Sequence, residues 1–247
     1  MAEDDSILTR SAAAPRSTVS YGTGPEQIAE IRPGSPGAAQ RPLVLLLHGG
    51  YWRPRYDRAH MAPMAAALAA LGWTVANVEY RRVPGDARAT LDDVANAVEI
   101  LPPRVTQHDG RVVLAGFSAG GHLALWLAQS GAKAHLHAVL ALAPVADLRL
   151  AERRRLGDGA VSAFIGNHPE MVNGIDPRQM PDARASVTIV HGASDDVVPI
   201  EVSESYLSAH PATRLRRLPM TGHFALVDPA TPVWPIVLQE LQRLAGT

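Results

Sequence analysis

The sequence predicts an α/β fold built on one mostly parallel sheet. From residue 42 onward, short apolar runs alternate with stretches in which apolar residues recur at helical spacing. Strands separated by helices form right-handed crossover units, and their strands lie parallel in one sheet. The chain has 247 residues, a length that fits one large domain with a sizeable core. No internal repeat or low-complexity segment interrupts this alternation.

The first elements of this pattern follow in chain order. Leu43–Leu47 is a continuous apolar run before two glycines, which is typical of a strand buried on both faces. Met61–Leu71 is alanine-rich with Leu and Met at helical spacing, and a glycine ends it. Trp73–Tyr80 is the next predicted strand. Leu91–Leu101 carries an apolar helical stripe that two prolines stop.

The later elements continue the alternation. Val112–Ala115 is a short β-branched strand. A helix follows almost directly and extends from about Gly121 to Ser130. Three further apolar runs of strand length come after it: Ala138–Leu142, Val187–Val190 and Leu215–Leu218.

Two segments lie outside this regular pattern. Residues 1–20 are rich in Ala, Ser, Pro and charged residues, which predicts a flexible tail before a single domain at 21–247. Residues 147–182 contain a run of three arginines and several glycines but no strand pattern. Long irregular insertions often cover substrate sites. This segment is therefore either a small cap over a site or an exposed helical excursion.

Composition excludes several classes of protein. The 24 acidic and 23 basic residues give a formal charge of −1, so nucleic acid is not an expected partner. Because there is no cysteine, disulfides, thiolate metal sites and cysteine nucleophiles are excluded. The strongest early apolar run is far shorter than the roughly 20 residues of a membrane span. Residues 1–10 lack the apolar block of a secretory signal, so we expect a cytoplasmic protein.

Residues 116–120, G-F-S-A-G, carry the strongest chemical signal. The pattern G-x-S-x-G places a serine on a strained turn between a strand and a helix, with glycines where a Cβ would clash. The predicted strand before the motif and the helix after it supply this context, so Ser118 is a candidate nucleophile. The alternative is a dinucleotide-binding turn. Such a turn requires G-x-G-x-x-G after the first strand, whereas several strands precede this motif and a serine occupies its middle position.

A second motif, residues 48–52 (H-G-G-Y-W), ends the first apolar strand of the main body. Two glycines after a strand let the backbone turn so that its N–H groups face a neighbouring site. An acyl-transfer enzyme needs such donors for the oxyanion of its intermediate. The alternative is a plain turn that ends a strand, and the serine motif farther along the chain favours the functional interpretation.

Residues 191–199, H-G-A-S-D-D-V-V-P, contain two candidate acids. We choose Asp195 because the frame H-G-x-x-D-x-x-V-P places the acid at its fifth position; Asp196 then faces solvent or caps the next helix. His223 follows the last strand, in T-G-H-F, and histidine is a base suited to activate a serine hydroxyl. The chain order Ser118, Asp195, His223 is that of the α/β-hydrolase triad.

We interpret the other histidines as residues without a catalytic role. His122 is a predicted packing residue of the helix after the serine, while His48 and His191 are expected to hold loop backbones. His135 and His137 lack a carboxylate that would complete a metal frame, so we expect no metal. Four more are interpreted as surface or loop residues: His60, His108, His168 and His210.

With these motifs in order over roughly residues 40–245, the chain resembles the α/β-hydrolase fold serine esterases. Residues 48–52 look like the H-G-G-x-W loop of kynurenine formamidases (arylformamidases) and their esterase relatives. Hormone-sensitive-lipase-like esterases carry H-G-G-G there. Phe117 stands where kynurenine formamidases often have histidine, in G-H-S-A-G.

The resemblance implies two-step acyl transfer through an acyl-serine intermediate, without a cofactor. Gly50, Tyr51 and Ala119 would donate the oxyanion N–H groups. The implied substrates are small carboxylic esters or N-formyl amides, and a dedicated arylformamidase acting on N-formylkynurenine is the alternative. A non-hydrolytic binding protein or a lyase on the same fold is less favoured, because no triad member is missing.

Aromatic side chains are the expected walls of the substrate pocket. Tyr51, Trp52 and Phe117, with the segment 147–182, would suit a compact or planar group. For Tyr51 and Trp52, the alternative is that the side chain packs in the core. Four arginines near the same edge are candidates to bind a substrate carboxylate, with a solvated or structural role as the alternative: Arg53, Arg55, Arg81 and Arg82.

Overall fold

The structure is a computed structural model that describes residues 4–35, 37–131 and 136–246. Its strands are β1 (Ser17–Ser20), β2 (Ile28–Arg32), β3 (Leu43–Leu47), β4 (Val75–Val78), β5 (Val112–Phe117), β6 (Ala138–Leu142), β7 (Ser186–Gly192) and β8 (Arg214–Leu218). Its α-helices are α1 (Ala62–Ala70), α2 (Ala87–Ile100), α3 (Ala119–Gln129), α4 (Leu148–Arg153), α5 (Ala160–Ile165), α6 (Val172–Ile175), α7 (Glu201–Ala209) and α8 (Trp234–Ala245). Within these ranges, none of the helices has both the length and the apolar composition of a membrane span.

The strands form one eight-stranded sheet in the order β1-β2-β4-β3-β5-β6-β7-β8. Neighbours from β4 to β8 are parallel. By contrast, β2 runs antiparallel to both β1 and β4. The prediction of an α/β fold with a mostly parallel sheet is confirmed. In this order β5 lies near the middle of the sheet. Because β5 is parallel to both neighbours, the loop after it lies at the carboxyl edge of the sheet, where ligands bind in such folds.

The sheet is covered on both faces, which explains the continuous apolar run of β3. Leu43, Leu45 and Leu47 belong to a hydrophobic cluster that also contains residues of α2, α3 and α7. Val44 and Leu46 point the other way, into a cluster with residues of α1 and α8. Successive side chains of a strand point to opposite faces, so a strand between two helical layers needs apolar residues at every position.

The N-terminal segment differs from the predicted flexible tail at 1–20. Ser17–Ser20 forms the edge strand β1. Before it, a 3-10 turn at Ser6–Thr9 packs against a second such turn at Arg58–Met61. Ile7 is buried in the α1–α8 cluster, and the Arg10 guanidinium pairs with the Asp228 carboxylate. Residues 4–20 thus contact the rest of the domain through the buried Ile7 side chain, the Arg10–Asp228 ion pair and the pairing of β1 with β2. The average composition of a segment does not reveal such contacts.

The segment 147–182 lies between β6 and β7 and contains α4, α5 and α6 with connecting 3-10 turns. As predicted, it has no strand among its residues. It packs on α3, where His122 Nε2 lies 2.8 Å from the carbonyl oxygen of Ile175. Farther along the same helix, the Gln129 amide donates to the carbonyl oxygen of Pro177 at 3.1 Å.

Candidate active site

Ser118 lies on the sharp turn between β5 and α3. Its backbone has φ 55° and ψ −116°, a conformation that non-glycine residues rarely adopt. The Ser118 N–H donates to the carbonyl oxygen of Leu142 at 2.8 Å, and its own carbonyl oxygen accepts from the N–H of Val145 at 3.3 Å. Strain of this kind persists only where the surrounding structure holds it, and it is common at functional sites.

Close backbone approach explains the two glycines of G-F-S-A-G. A Cβ on Gly116 would lie 2.2 Å from the carbonyl oxygen of Gly120. A Cβ on Gly120 would lie 2.2 Å from the carbonyl oxygen of Leu47. The first turn of α3 therefore rests directly on the end of β3. The H-G-G-Y-W loop lies beside the serine as a result, and a Cβ on Gly49 would come within 3.1 Å of Ser118 Cβ.

Residues 48–52, here called the oxyanion loop after their predicted role, have an unusual backbone. Gly50, Tyr51 and Trp52 have φ values of 110°, 52° and 55°. A Cβ on Gly50 would lie 2.4 Å from Tyr56 Cβ, so this position requires glycine. The N–H of Ala119 belongs to the first turn of α3, where N–H groups have no partner within the helix. The three predicted oxyanion donors thus lie on two adjacent segments beside Ser118.

His48 holds this loop in place, and its structural interpretation is confirmed. Its Nδ1 lies 2.8 Å from the carbonyl oxygen of Gly49, and its Nε2 lies 3.0 Å from Glu79 Oε1. The Tyr80 ring stacks on the imidazole with ring centroids 4.1 Å apart. The Tyr80 hydroxyl also donates to the His48 carbonyl oxygen at 2.6 Å.

Asp195 and His223 are hydrogen-bonded and buried. Nδ1 of His223 lies 2.6 Å from Oδ2 of Asp195. The other carboxylate oxygen, Oδ1, accepts from the N–H groups of Val197 at 2.9 Å and Val198 at 2.7 Å. Asp196 is exposed. The loop after β7 therefore turns the first of the two acids, Asp195, toward the histidine.

His191 gives Asp195 a second imidazole neighbour. Its Nε2 lies 3.2 Å from Asp195 Oδ2 and 2.8 Å from the carbonyl oxygen of Val198, while its Nδ1 lies 2.7 Å from Ser203 Oγ. Burial raises the pKa of Asp195, but hydrogen bonds from His191 and His223 outweigh burial and hold this pKa well below its usual range. The carboxylate is therefore ionised at neutral pH and can stabilise positive charge on His223.

A small cavity of about 80 Å³ joins the serine, the histidine and the oxyanion loop. Apart from Ser118, His223, Gly50 and Tyr51, its walls are mostly apolar or aromatic: Leu8, Tyr56, His60, Phe117, Val197 and Phe224. The ring centroids of Phe117 and His223 are 4.6 Å apart. This volume exceeds what a single water molecule requires, and it has room for a short acyl group.

Tyr51 and Phe117 line this cavity, but Trp52 does not. The Trp52 side chain is buried away from the cavity walls. Its ring stacks on Phe164 of α5 at 4.5 Å between centroids and meets the edge of His122 at 5.0 Å. The alternative of core packing therefore applies to Trp52. None of the described residues in the segment 147–182 lines the cavity either.

The four arginines considered for a substrate carboxylate are outside the cavity walls: Arg53, Arg55, Arg81 and Arg82. Two of them form ion pairs with acidic residues, Arg82 with Glu79 and Arg81 with Asp93. Arg53 donates to the carbonyl oxygen of Gly157. Arg55 lies over the ring of Tyr56. These contacts support a structural role for the four arginines.

Sequence reasoning missed five residues of the cavity wall: Leu8, Tyr56, His60, Val197 and Phe224. Of the two interpretations of His60, surface or loop residue, the surface one is wrong, because His60 is only 4% exposed in the 3-10 turn Arg58–Met61. His210 is also buried, with Nδ1 2.6 Å from Asp182 Oδ1. In the sequence, only its closeness to H-G-G-Y-W points to His60 as a cavity residue. No feature of the sequence points to Leu8.

His135 lies outside the described residues. In the part of the chain that is described, no group of three or more His, Cys, Asp or Glu side chains is arranged to hold a metal ion. His122 and His191 are buried and bonded to backbone carbonyls, as expected for packing and loop-holding residues.

The chain is similar to several proteins that are named esterases. Esterase LipC of Mycobacterium tuberculosis is 27% identical over 247 aligned residues, which cover 87% of this chain and 61% of LipC. The chain thus spans about three fifths of that relative's length. The structure of esterase B from Lactobacillus rhamnosis matches with a TM-score of 0.79 at 20% identity, over 98% of this chain and 90% of that one.

A truncated carbohydrate esterase from gut microbiota matches with a TM-score of 0.78 at 18% identity, over 95% of this chain and 98% of that one. The sheet order and these structural matches show the α/β-hydrolase fold. The BD-FAE family model matches residues 32–209, more than half of the chain. The chain therefore belongs to the BD-FAE family.

Proposed function

We propose that this protein is a serine hydrolase of small carboxylic esters, with Ser118 as nucleophile, His223 as base and Asp195 as the orienting acid. One observation carries the proposal. Ser118 and His223 line the same small cavity as the oxyanion loop, and Asp195 Oδ2 lies 2.6 Å from His223 Nδ1. The relatives named esterases add support from an independent direction.

The mechanism follows from these positions. With Nδ1 donating to Asp195, the His223 ring keeps Nε2 as its basic nitrogen. This nitrogen takes the Ser118 proton as the serine oxygen attacks the ester carbonyl carbon, and it then returns the proton to the leaving alcohol. Water activated by His223 hydrolyses the acyl-serine in a second round of the same steps.

The oxyanion of each tetrahedral intermediate needs donors that are already in place. In the proposal these are the backbone N–H of Ala119 and those of Gly50 and Tyr51. One such donor contributes about 3–4 kcal/mol to transition-state stabilisation in serine hydrolases. The glycines that pack the elbow on the end of β3 hold the two donor segments together.

The size of the cavity supports esters of short acids as substrates. About 80 Å³ beside Ser118 admits an acetyl or propionyl group more easily than a long acyl chain. The side chains of Leu8, Phe117 and Phe224 are among those that close it. Esters of short carboxylic acids are therefore the proposed substrates.

Hydrolysis of N-formyl amides is the second candidate. The small cavity favours it too, since formyl is the smallest acyl group, and the H-G-G-Y-W loop is like that of arylformamidases. A dedicated arylformamidase for N-formylkynurenine would also have to bind a carboxylate. The four nearby arginines are outside the cavity walls, so the ester is the preferred substrate class.

Side-by-side kinetics test the proposal. We would measure kcat/KM for p-nitrophenyl acetate, p-nitrophenyl octanoate and N-formylkynurenine with the wild-type protein and Ser118→Ala. We expect acetate to exceed both others by at least about tenfold, and the substitution to remove more than 99.9% of the rate, roughly the 10³-fold loss or more seen for such nucleophiles. Undiminished turnover by Ser118→Ala would contradict the mechanism, and a large preference for the formamide would establish the second candidate.

A further inference from the structure

One wall of the proposed catalytic cavity comes from the N-terminal segment of the chain. Leu8 lies in the 3-10 turn Ser6–Thr9 and lines the cavity together with His223. The residue before it, Ile7, is buried in the α1–α8 cluster. The turn that carries Leu8 is therefore anchored to the core on one side of this wall.

Arg10 fastens the other end of the same turn. Its guanidinium pairs with the Asp228 carboxylate through one terminal nitrogen and donates to Ser6 Oγ at 3.0 Å through the other. Because Ser6 and Arg10 lie two residues before and after Leu8, these contacts hold the backbone around Leu8. Arg10 itself lies outside the cavity walls. Its effect on a bound ester is therefore indirect, through the position of Leu8.

The partner of Arg10 belongs to the segment of the candidate catalytic histidine. Asp228 follows the 3-10 turn Phe224–Leu226, which begins directly after His223. Phe224 also lines the cavity, and its ring meets that of His223 edge to face at 5.2 Å between centroids. Asp228 Oδ1 accepts from the N–H of Ala230 at 2.8 Å as well. The ion pair thus joins two segments that wall the cavity, from positions 218 residues apart in the chain.

This ion pair bears on the choice between short and longer acyl chains. An acetyl group fits a cavity of about 80 Å³ without moving its walls, whereas a longer chain has to displace one of them. Moving Leu8 outward separates Arg10 from Asp228, so the free energy of the pair adds to the barrier for long chains alone. The pair is partly exposed, with 36% of the Arg10 side chain and 9% of the Asp228 side chain accessible. Its contribution is therefore modest and sensitive to salt.

We propose that Arg10 is a positioning residue that limits the length of the acyl chain by holding Leu8 in the cavity wall through Asp228. This inference rests on the proposed esterase function of Ser118. It assigns a role in substrate selection to an ion pair outside the cavity walls.

A double-mutant cycle tests whether Arg10 acts through Leu8. We would measure kcat/KM for p-nitrophenyl acetate and butyrate with the wild type, Arg10→Ala, Leu8→Ala and the double variant. The two esters share their leaving group, so the butyrate-to-acetate ratio reports only on the acyl side. We expect Arg10→Ala to raise this ratio by about three- to fivefold, the upper range for a partly exposed ion pair. In the Leu8→Ala background the same substitution should have no further effect, because the side chain that it positions is absent.

Two further variants separate positioning from general stability. Arg10→Lys keeps a cation opposite Asp228 and should retain most of the wild-type selection. The matched control is Arg111→Ala, which removes an ion pair with Asp109 that is similarly exposed, with 38% of the Arg111 side chain accessible, and lies outside the cavity walls. Its ratio should equal that of the wild type.

Salt gives a measurement on the unmodified protein. Screening at about 1 M NaCl weakens exposed ion pairs, so the wild-type ratio should rise toward that of Arg10→Ala, whose own ratio should stay constant. A wild-type ratio independent of salt would overturn the proposal, even if the variants failed to fold. So would an unchanged ratio in Arg10→Ala, or an equal effect of this substitution with and without Leu8. Failure of the underlying function looks different, since the wild type would then hydrolyse neither ester.

Discussion

The Tyr51 hydroxyl donates to the backbone carbonyl oxygen of Val197 at 2.7 Å. This hydrogen bond joins the oxyanion loop to the loop that carries Asp195. Burial raises the pKa of Tyr51, so the hydroxyl is protonated and remains a donor at neutral pH. Tyr51 therefore combines a proposed role, donation of its N–H to the oxyanion, with an observed one, since its side chain connects the two loops.

Removing this hydroxyl should slow the reaction as well as weaken the fold. For Tyr51→Phe we expect kcat/KM for p-nitrophenyl acetate to fall by up to about tenfold and the free energy of unfolding to fall by about 1 kcal/mol. Tyr21→Phe is the matched control, because the Tyr21 hydroxyl donates to the carbonyl oxygen of Glu79 at 2.5 Å, away from the cavity. It should lose similar stability in urea titrations but keep its rate, and equal rates for both variants would show that the Tyr51 bond is only structural.

The two neighbouring acids give the sharpest test of the triad. Asp195→Asn should reduce kcat on the order of 10⁴-fold, since an amide no longer holds the His223 tautomer that acts as base. Asp196→Asn changes an exposed side chain next to it and should remain close to the wild-type rate. Steady-state kinetics on one short ester suffice, and a greater loss in the Asp196 variant would reverse the assignment.

Leu8 should limit the length of the acyl chain. It lines the cavity from the N-terminal segment, so Leu8→Ala removes a wall and leaves space for added methylenes. We expect the ratio of kcat/KM for p-nitrophenyl butyrate over acetate to rise by about tenfold, the low end of what one methylene contributes in a tight pocket. Leu71→Ala, at an exposed position after α1, should leave the ratio unchanged. An unchanged ratio in the Leu8 variant would place the acyl group elsewhere.

Two buried histidines should make the fold sensitive to mild acid. Burial lowers the pKa of His122 to about 4 and that of His60 to about 3, from an ordinary value of 6.5. Below pH 6.5 the unfolded chain therefore binds more protons than the folded one, and the free energy of unfolding decreases as the pH falls toward 4. Urea titrations at pH 7.5 and pH 5 should show this loss, and His122→Leu should reduce it. Identical midpoints at the two pH values would contradict the buried, neutral state of these rings.

The elements that the sequence predicted well are those in which burial or backbone geometry leaves few choices. Leu43–Leu47 and Ala138–Leu142 are strands over the predicted residues, since each is covered on both faces and apolar throughout. In residues 116–120, two positions require glycine because any Cβ there would clash with the backbone. The turn that carries Ser118 could therefore be identified from its motif. The strand β5 extends to Phe117, farther than its β-branched core indicated, because it continues directly into that elbow.

The parts that the sequence did not predict depend on contacts between distant segments. Leu8 and Ile7 are two apolar residues in a polar stretch, and only the fold places them against the cavity and the core. His60 is spaced like many loop histidines, and its burial results from packing beside Phe117. Trp52 differs for a similar reason, since Phe164 and His122 form an aromatic site for it away from the cavity.

Covalent labelling tests the central claim most directly. A fluorophosphonate reacts with a serine only where a base and an oxyanion site activate it, so the folded protein would be treated with the reagent and the modified peptide identified by mass spectrometry. We predict one adduct, on Ser118, that is absent from Ser118→Ala and forms much more slowly in Asp195→Asn. An unlabelled folded protein, or an adduct on a different serine, would contradict the assignment of Ser118 as the nucleophile.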